Sequence, residues 1–164
     1  MARFLLCVVC FIFLAFGCGK SAEEKAIEKQ IEEQTGAKAD VDLSEDKIKV
    51  EGETEGGKFT VTSGEGSEIP DGFPADVFIY RPSKTIMAVE IPEGYSVSLT
   101  TKDDSSKVHS AYSQEMAERG WSEETSMKMG SQFVLVYEKE ERAANISIMP
   151  LENEIQISMM VTMK

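Results

Sequence analysis

The sequence predicts an α+β fold in which an antiparallel β-sheet meander is packed by a helix and preceded by a smaller helix-plus-three-strand unit. Apolar residues alternate with polar ones in many short segments, which is typical of strands with one buried face. Two other segments have apolar residues at helical spacing and begin at capping residues. Short turns separate most of the strands, which favours antiparallel pairing and an α+β layer.

The first predicted helix covers residues 22–34. Ser21 and Glu24 have the spacing of a capping box, and Gly36 provides a helix stop. Its apolar stripe is narrow, consisting of Ala22, Ala26, Ile27 and Ile31. We expect this helix to lie against the three strands that follow it.

Those three strands form a predicted meander with one apolar face. Alternation is clear at Val41 and Leu43, at Ile48 and Val50, and at Phe59 and Val61. This first unit spans residues 18–62. A segment with glycines and prolines, residues 63–74, is the predicted linker to a second unit at residues 75–164.

The second unit begins with strands at residues 85–90 and 95–100. Asp103 or Asp104 then caps a helix that runs to Arg119 and is closed by Gly120. Four strands follow, at residues 121–127, 133–137, 144–149 and 155–163. The helix presents one apolar face to them, formed by Val108, Ala111, Tyr112 and Met116.

The N-terminal residues carry a different signal. Residues 4–16 are uninterrupted apolar residues preceded by Arg3, and this run is shorter than the roughly 20 residues that a spanning helix needs. A short charged start and a brief apolar core are typical of a secretory signal peptide. The end of the run, with Gly17 before Cys18, resembles a bacterial lipobox, although the usual leucine lies one position early at Leu14.

That resemblance implies cleavage before Cys18 and attachment of lipid, such as palmitate, to its sulfur. An ordinary cleaved signal or an uncleaved anchor is the alternative. Cys7 and Cys10 would leave with residues 1–17, so Cys18 would be the remaining cysteine and no intramolecular disulfide could form. Two acyl chains are sufficient for stable anchoring.

Residues 70–164 also resemble a group of uncharacterised bacterial lipoproteins. The similarity rests on Phe73-Pro74, Asp76-Val77 and Tyr80 before the first strand, and on Gly120-Trp121 after the helix. Arg81, between the tyrosine and the next proline, departs from the pattern. The resemblance implies a small α+β domain and no assigned activity. By similarity to lipoproteins of two-membrane bacteria, Gly19 favours the outer membrane.

Net charge limits the classes of partner. The chain has 17 basic and 29 acidic side chains and a formal charge of −12. Such a chain is repelled by nucleic acid and by anionic lipid surfaces. We therefore expect no nucleic-acid partner. Acidity that keeps an exported domain soluble is the simplest explanation.

Three patterns in the sequence are candidate sites. His109, the single histidine, has neither a nucleophile nor an orienting acid in a motif, so we expect no catalytic residue. Asp40, Asp42, Ser44, Asp46 and Glu51 match positions of a calcium loop, but Glu45 replaces its glycine and the residues alternate as a strand does. Eight methionines suggest Cu(I) ligands or, as we predict, core filling: Met87, Met116, Met127, Met129, Met149, Met159, Met160 and Met163.

The sequence therefore indicates a non-enzymatic envelope lipoprotein, anchored at Cys18 and facing the extracytoplasmic side. We expect no cofactor and no metal, and a protein or envelope component as partner. The alternative is an envelope hydrolase or a calcium-binding lipoprotein. Acids gathered around a concave pocket would favour that alternative, whereas a flat polar face would favour a binding module.

Overall fold

The computed structural model describes residues 21–44, 46–54 and 56–163. In the described part of the chain, all predicted helices and strands are present, with ends that differ from the predictions by a few residues. Their bounds are α1 Ala22–Thr35, β1 Lys38–Ser44, β2 Lys47–Thr54, β3 Gly57–Ser63, β4 Lys84–Ile91, β5 Gly94–Thr101, α2 Ser105–Glu118, β6 Ser122–Met129, β7 Gln132–Lys139, β8 Arg142–Pro150 and β9 Ile155–Met163.

The strands form a single antiparallel sheet with the order β1-β2-β3-β4-β5-β9-β8-β7-β6. Hairpins join most of the neighbours. Residues 64–83 form a longer connection between β3 and β4. Helix α2 carries the chain from β5 to the far edge at β6, and the chain then returns through β7 and β8 to β9, which pairs with β5. The fold is thus α+β, as the alternating strands and the two capped helices predicted.

Strands β3 and β4 pair over four residues, from Thr60–Glu90 to Ser63–Met87. The three strands of the N-terminal unit therefore continue the same sheet as the C-terminal strands. The segment between them, residues 64–83, packs on the core: Ser67, Val77 and Tyr80 are buried.

The hydrophobic core lies between α2 and one face of the sheet. Val108, Tyr112 and Met116 project from α2 and are fully buried. They meet the inward residues of four strands, β5, β7, β8 and β9, and these residues alternate along each strand with residues of the opposite face: Val97, Leu99, Phe133, Leu135, Tyr137, Ala144, Ile146, Ile148, Ile155, Ile157, Met159 and Val161. The sheet therefore buries one face beneath a helix.

Helix α1 covers the free edge of the sheet at β1. Ser21 and Glu24 form the predicted capping box, and Gly36 ends the helix in a left-handed conformation with φ 70°. The carboxylate of Glu24 accepts the backbone N–H of Leu43 at 3.0 Å, and that of Glu28 accepts the N–H of Val41 at 3.0 Å. These two carboxylates, one helical turn apart, replace the carbonyl groups that a neighbouring strand would offer.

Neither described helix is long and apolar enough to span a membrane.

Candidate functional site: the uncharged face of the sheet

The strand register defines the face of the sheet opposite to α2. Side chains of paired residues point to the same side, so the pairs can be followed from strand to strand. One row runs from Thr125 through Val136, Asn145 and Met160 to Ser96 and Val89. A second row runs from Met127 through Val134, Ser147 and Ser158 to Ser98 and Met87.

A third row contains Met129, Gln132, Met149 and Gln156, and it continues through Thr100 to Lys84. The first two rows, on β4, β5, β9, β8, β7 and β6, together with the first four residues of the third row are called here the uncharged face. Contacts between side chains join the second and third rows: Gln132 Nε2 lies 3.5 Å from Ser147 Oγ, and Gln156 Nε2 lies 3.4 Å from Ser158 Oγ.

None of the residues of the uncharged face is ionisable, although the chain carries a formal charge of −12. Lys84, at the β4 end of the third row, lies at the corner of this face and forms an ion pair with Glu65 at 2.6 Å. All residues of the uncharged face are exposed or half-buried. Met127, Met129 and Met160 are each about half exposed, at 49%, 52% and 50%. Exposed apolar side chains framed by neutral hydrogen-bonding groups are typical of a surface that contacts another molecule.

The serines and the methionines occupy different parts of the uncharged face. Ser96, Ser98, Ser147 and Ser158 form a central strip of short side chains on β5, β9 and β8, while Met87 flanks the strip on one side and Met127 flanks it on the other. Met160 and Asn145 project beside the strip. The result is a shallow relief that offers hydroxyl, amide and thioether contacts.

The other side of the sheet is filled by the protein itself. Tyr112 of α2 is fully buried and its hydroxyl contacts Met159 Sδ at 3.2 Å. Phe78 packs edge-on to Tyr112, with ring centroids 5.2 Å apart. The space between α2 and the sheet is therefore occupied by side chains.

The predicted role of the methionines is wrong for six of the eight. Met116 and Met159 do lie in the core. The remaining six are exposed: Met87, Met127, Met129, Met149, Met160 and Met163. Alternation places the first five of these on the face opposite to α2, whereas Met163 lies at the end of β9.

His109 lies at the margin of the α2 interface, as its position beside Val108 predicted. Its ring stacks on Phe133, with centroids 4.4 Å apart, and its Nε2 lies 3.3 Å from Ser126 Oγ. These contacts give His109 a packing role.

Four of the five residues of the calcium template lie on extended strands. Asp40, Asp42 and Ser44 point to solvent from β1, while Glu51 lies on β2 and pairs with Asp40. Asp46 is in the turn between the two strands. Within the described ranges, no group of three or more His, Cys, Asp or Glu side chains is arranged to hold a metal ion. Cys18, the predicted lipidation site, lies outside the described residues.

A polar cluster that the sequence did not reveal joins the 64–83 segment to the β7–β8 hairpin. Asp76 accepts hydrogen bonds from both terminal nitrogens of Arg142 at 2.8 Å and from Lys139 Nζ at 2.7 Å. Trp121 donates its indole N–H to the carbonyl of Asp76 at 2.9 Å, and Arg142 stacks on the indole ring at 5.1 Å.

These contacts serve to hold the segment in place. An open depression of about 380 Å³ lies beside them, lined by Glu140, Glu141, Arg142 and Met163. Because the Arg142 guanidinium donates to Asp76, it holds the pKa of that carboxyl well below its ordinary value. Asp76 is therefore fully paired and ionised at neutral pH.

The pKa values of other side chains are also displaced away from neutral pH. Burial and the neighbouring Asp103 carboxylate raise the pKa of Tyr80 to about 12, and burial raises the pKa of Tyr137 to about 12. Hydrogen bonds from Lys107 and Tyr80 lower the pKa of Asp103.

Comparison with known proteins gives one family similarity. Residues 83–158, from β4 into β9 and including α2, match the model of a family described as START domain-like. The matched part covers less than half of the chain, and the description names no ligand. No curated protein and no solved structure matches the chain.

Proposed function

We propose that this protein is a non-enzymatic lipoprotein of the bacterial cell envelope, anchored through Cys18, whose uncharged face is an interaction surface. The observation that carries the proposal is the uncharged face itself. In a strongly acidic chain, two rows of exposed or half-buried residues across six strands, and a third row across four of them, contain no ionisable side chain. A surface that served solubility alone would be expected to carry charges.

The anchor would attach close to this domain. Two residues, Gly19 and Lys20, separate Cys18 from Ser21, the N-cap of α1. Helix α1 packs on β1, so a lipid at Cys18 would hold the β1 edge near the membrane. The uncharged face lies on β4 to β6 in the order of the sheet, displaced from that edge, where it would be accessible to an envelope partner.

A binding role agrees with the shape and the chemistry of the described residues. The uncharged face is broad and follows the surface of the sheet, whereas hydrolysis would require a nucleophile and a base held together. A flat surface of neutral hydrogen-bonding groups and thioethers suits contact with another protein surface, because methionine side chains adapt to the surface they meet.

Labelling cells with an alkyne fatty acid tests the anchor. Wild-type protein is expected to be labelled and membrane-bound, whereas Cys18→Ser should be unlabelled and either uncut or released. Ser21→Ala is the matched control, because it removes a nearby hydroxyl without removing the lipidated sulfur. Equal labelling of Cys18→Ser and wild type would overturn the anchor.

Fractionation tests the location within the envelope. In a host with two membranes, Gly19 leads us to propose the outer membrane. Recovery of the protein in the inner membrane alone would refute that placement and would leave the anchor itself unaffected.

A further inference from the structure

We infer that the partner of the uncharged face is the same face of a second copy of this chain. This inference rests on the proposed role of that face as an interaction surface, and it specifies the occupant. The two copies would stack sheet against sheet about a twofold axis, the commonest arrangement of homodimers.

Charge favours a second copy over other partners. Two molecules with a formal charge of −12 repel each other across most of their surfaces. Repulsion at the contact is lowest where both surfaces lack ionisable groups, and burying the uncharged face leaves no charge unpaired. A basic partner would instead be attracted to the acidic parts of the surface, so the absence of charge would bring it no advantage.

The relief of the uncharged face allows it to pack against itself. Packed sheets lie about 10 Å apart with interdigitating side chains. The central serine strip is low, and Met127 and Met160 rise beside it. A twofold arrangement can therefore place the methionines of one copy over the serines of the other, and each copy makes the same contacts.

The available area is also suitable. Two rows across six strands and a third row across four, with strands about 4.8 Å apart and rows about 6.8 Å apart, give a projected footprint of roughly 500 Å². The accessible area of such a relief exceeds its projection, and stable interfaces bury about 800 Å² per partner. Anchoring both copies in one membrane would raise their effective concentration further.

Site-specific photo-crosslinking of the full-length chain in living cells tests the inference. Met160 is replaced by p-benzoylphenylalanine, and a second copy with a different epitope tag is co-expressed. The matched control places the same group at Met163, which lies on the same strand but at its end and on the other side of the sheet. We expect an adduct that carries both tags from position 160 and none from position 163.

A charge substitution in the second copy provides an independent measurement. Ser158→Glu places an unpaired carboxylate in the centre of the proposed contact and should reduce the two-tag adduct at least about tenfold, since a buried charge without a partner costs several kcal/mol. Met163→Glu should leave the adduct unchanged. Thermal melts of the purified variants verify that both remain folded.

The outcomes separate this inference from the proposed function. An adduct at position 160 with a different protein or with lipid alone would overturn the homodimer. With a different protein, the interaction surface would stand. No adduct of any kind at position 160 would contradict both. Equal two-tag adducts from positions 160 and 163 would indicate random collision and would overturn the homodimer.

Discussion

Asp76 and Arg142, which are 66 positions apart in the chain, are joined by two hydrogen bonds of 2.8 Å between one carboxylate and one guanidinium. Both side chains are largely shielded, with 28% and 19% exposed. Paired fork geometry of this kind is among the stronger polar contacts in proteins. It fixes the 64–83 segment against the β7–β8 hairpin, beside the buried Trp121.

We predict that Asp76→Asn lowers the free energy of unfolding at pH 7 by roughly 1–3 kcal/mol, because charge-assisted hydrogen bonds are lost and two cations are left without their partner. The pKa of Asp76 is depressed in the folded state. Its stabilisation is therefore complete above the unfolded pKa of about 3.9 and is lost as the pH falls toward the folded value.

Denaturant unfolding between pH 7 and pH 2 measures this dependence. Wild type should lose stability on acidification more steeply than Asp76→Asn. Asp71→Asn, at an exposed position of the same segment, serves as the control and should keep the wild-type slope. If the free energies of unfolding of wild type and Asp76→Asn depended on pH in the same way, the ionised Asp76 carboxylate would not be the stabilising group.

We predict that Trp121→Ala costs roughly 3–5 kcal/mol, as removal of a buried tryptophan does. Trp121 is 3% exposed, and its N–H is satisfied by the carbonyl of Asp76. Wild-type fluorescence should accordingly be shielded from iodide quenching. A near-neutral substitution, or free quenching of the native protein, would place the indole at the surface.

We predict that Glu28→Ala loosens the β1 edge. The substitution removes the acceptor of the Val41 N–H, so hydrogen exchange at Val41 should accelerate, by about five- to tenfold if the bond contributes about 1 kcal/mol. Glu28→Gln keeps an acceptor oxygen and should retain most of the protection. Glu33→Ala, on the exposed side of α1, is the control. Equal hydrogen-exchange rates at Val41 in Glu28→Ala and Glu33→Ala would contradict the role of the Glu28 carboxylate as acceptor for the β1 edge.

We predict that Gly94→Ala is far more damaging than Gly130→Ala. Both glycines adopt positive φ, of 153° and 63°. A Cβ at Gly94 would collide with the carbonyl oxygen of Val161 on the paired strand, whereas none would be met within 4 Å at Gly130. Gly130→Ala should lower the free energy of unfolding by about 1 kcal/mol, and Gly94→Ala should lower it clearly more. Thermal melts of the two variants measure the difference. Equal losses of stability would contradict the close approach of β5 and β9.

We predict that residues 69–164 fold without the N-terminal unit. The core between α2 and the sheet is built from residues beyond this cut. Removal of β3 exposes the edge of β4, so the truncated protein should melt cooperatively at a lower temperature and associate more readily. A non-cooperative transition would show that β1 to β3 are required for the core.

Local patterns were sufficient to predict the helices and strands. The capping box at Ser21, the stop at Gly120 and the alternation within β9 each depend on neighbours in the chain. These local patterns could not predict the order of the strands, because the β5–β9 pair joins segments that are separated in the chain by α2 and three strands.

The positions of the methionines show the limit of pattern reading. Met159 and Met160 are adjacent on β9, yet 1% of the first and 50% of the second is exposed. Alternation separates their faces but does not reveal which face a helix covers when both carry apolar residues. A usable signal was present, since residues 143–149 and 155–163 contain no ionisable residue in a chain that is otherwise rich in acids.

Methionine oxidation footprinting in the native envelope tests the central claim most directly. Mild peroxide treatment of intact envelopes and of dilute purified protein is followed by mass spectrometry of each methionine. The account predicts that Met127, Met149 and Met160 are protected in the envelope and oxidised in the dilute protein, while Met163 is oxidised in both. Equal oxidation of Met160 and Met163 in the envelope would contradict a covered uncharged face.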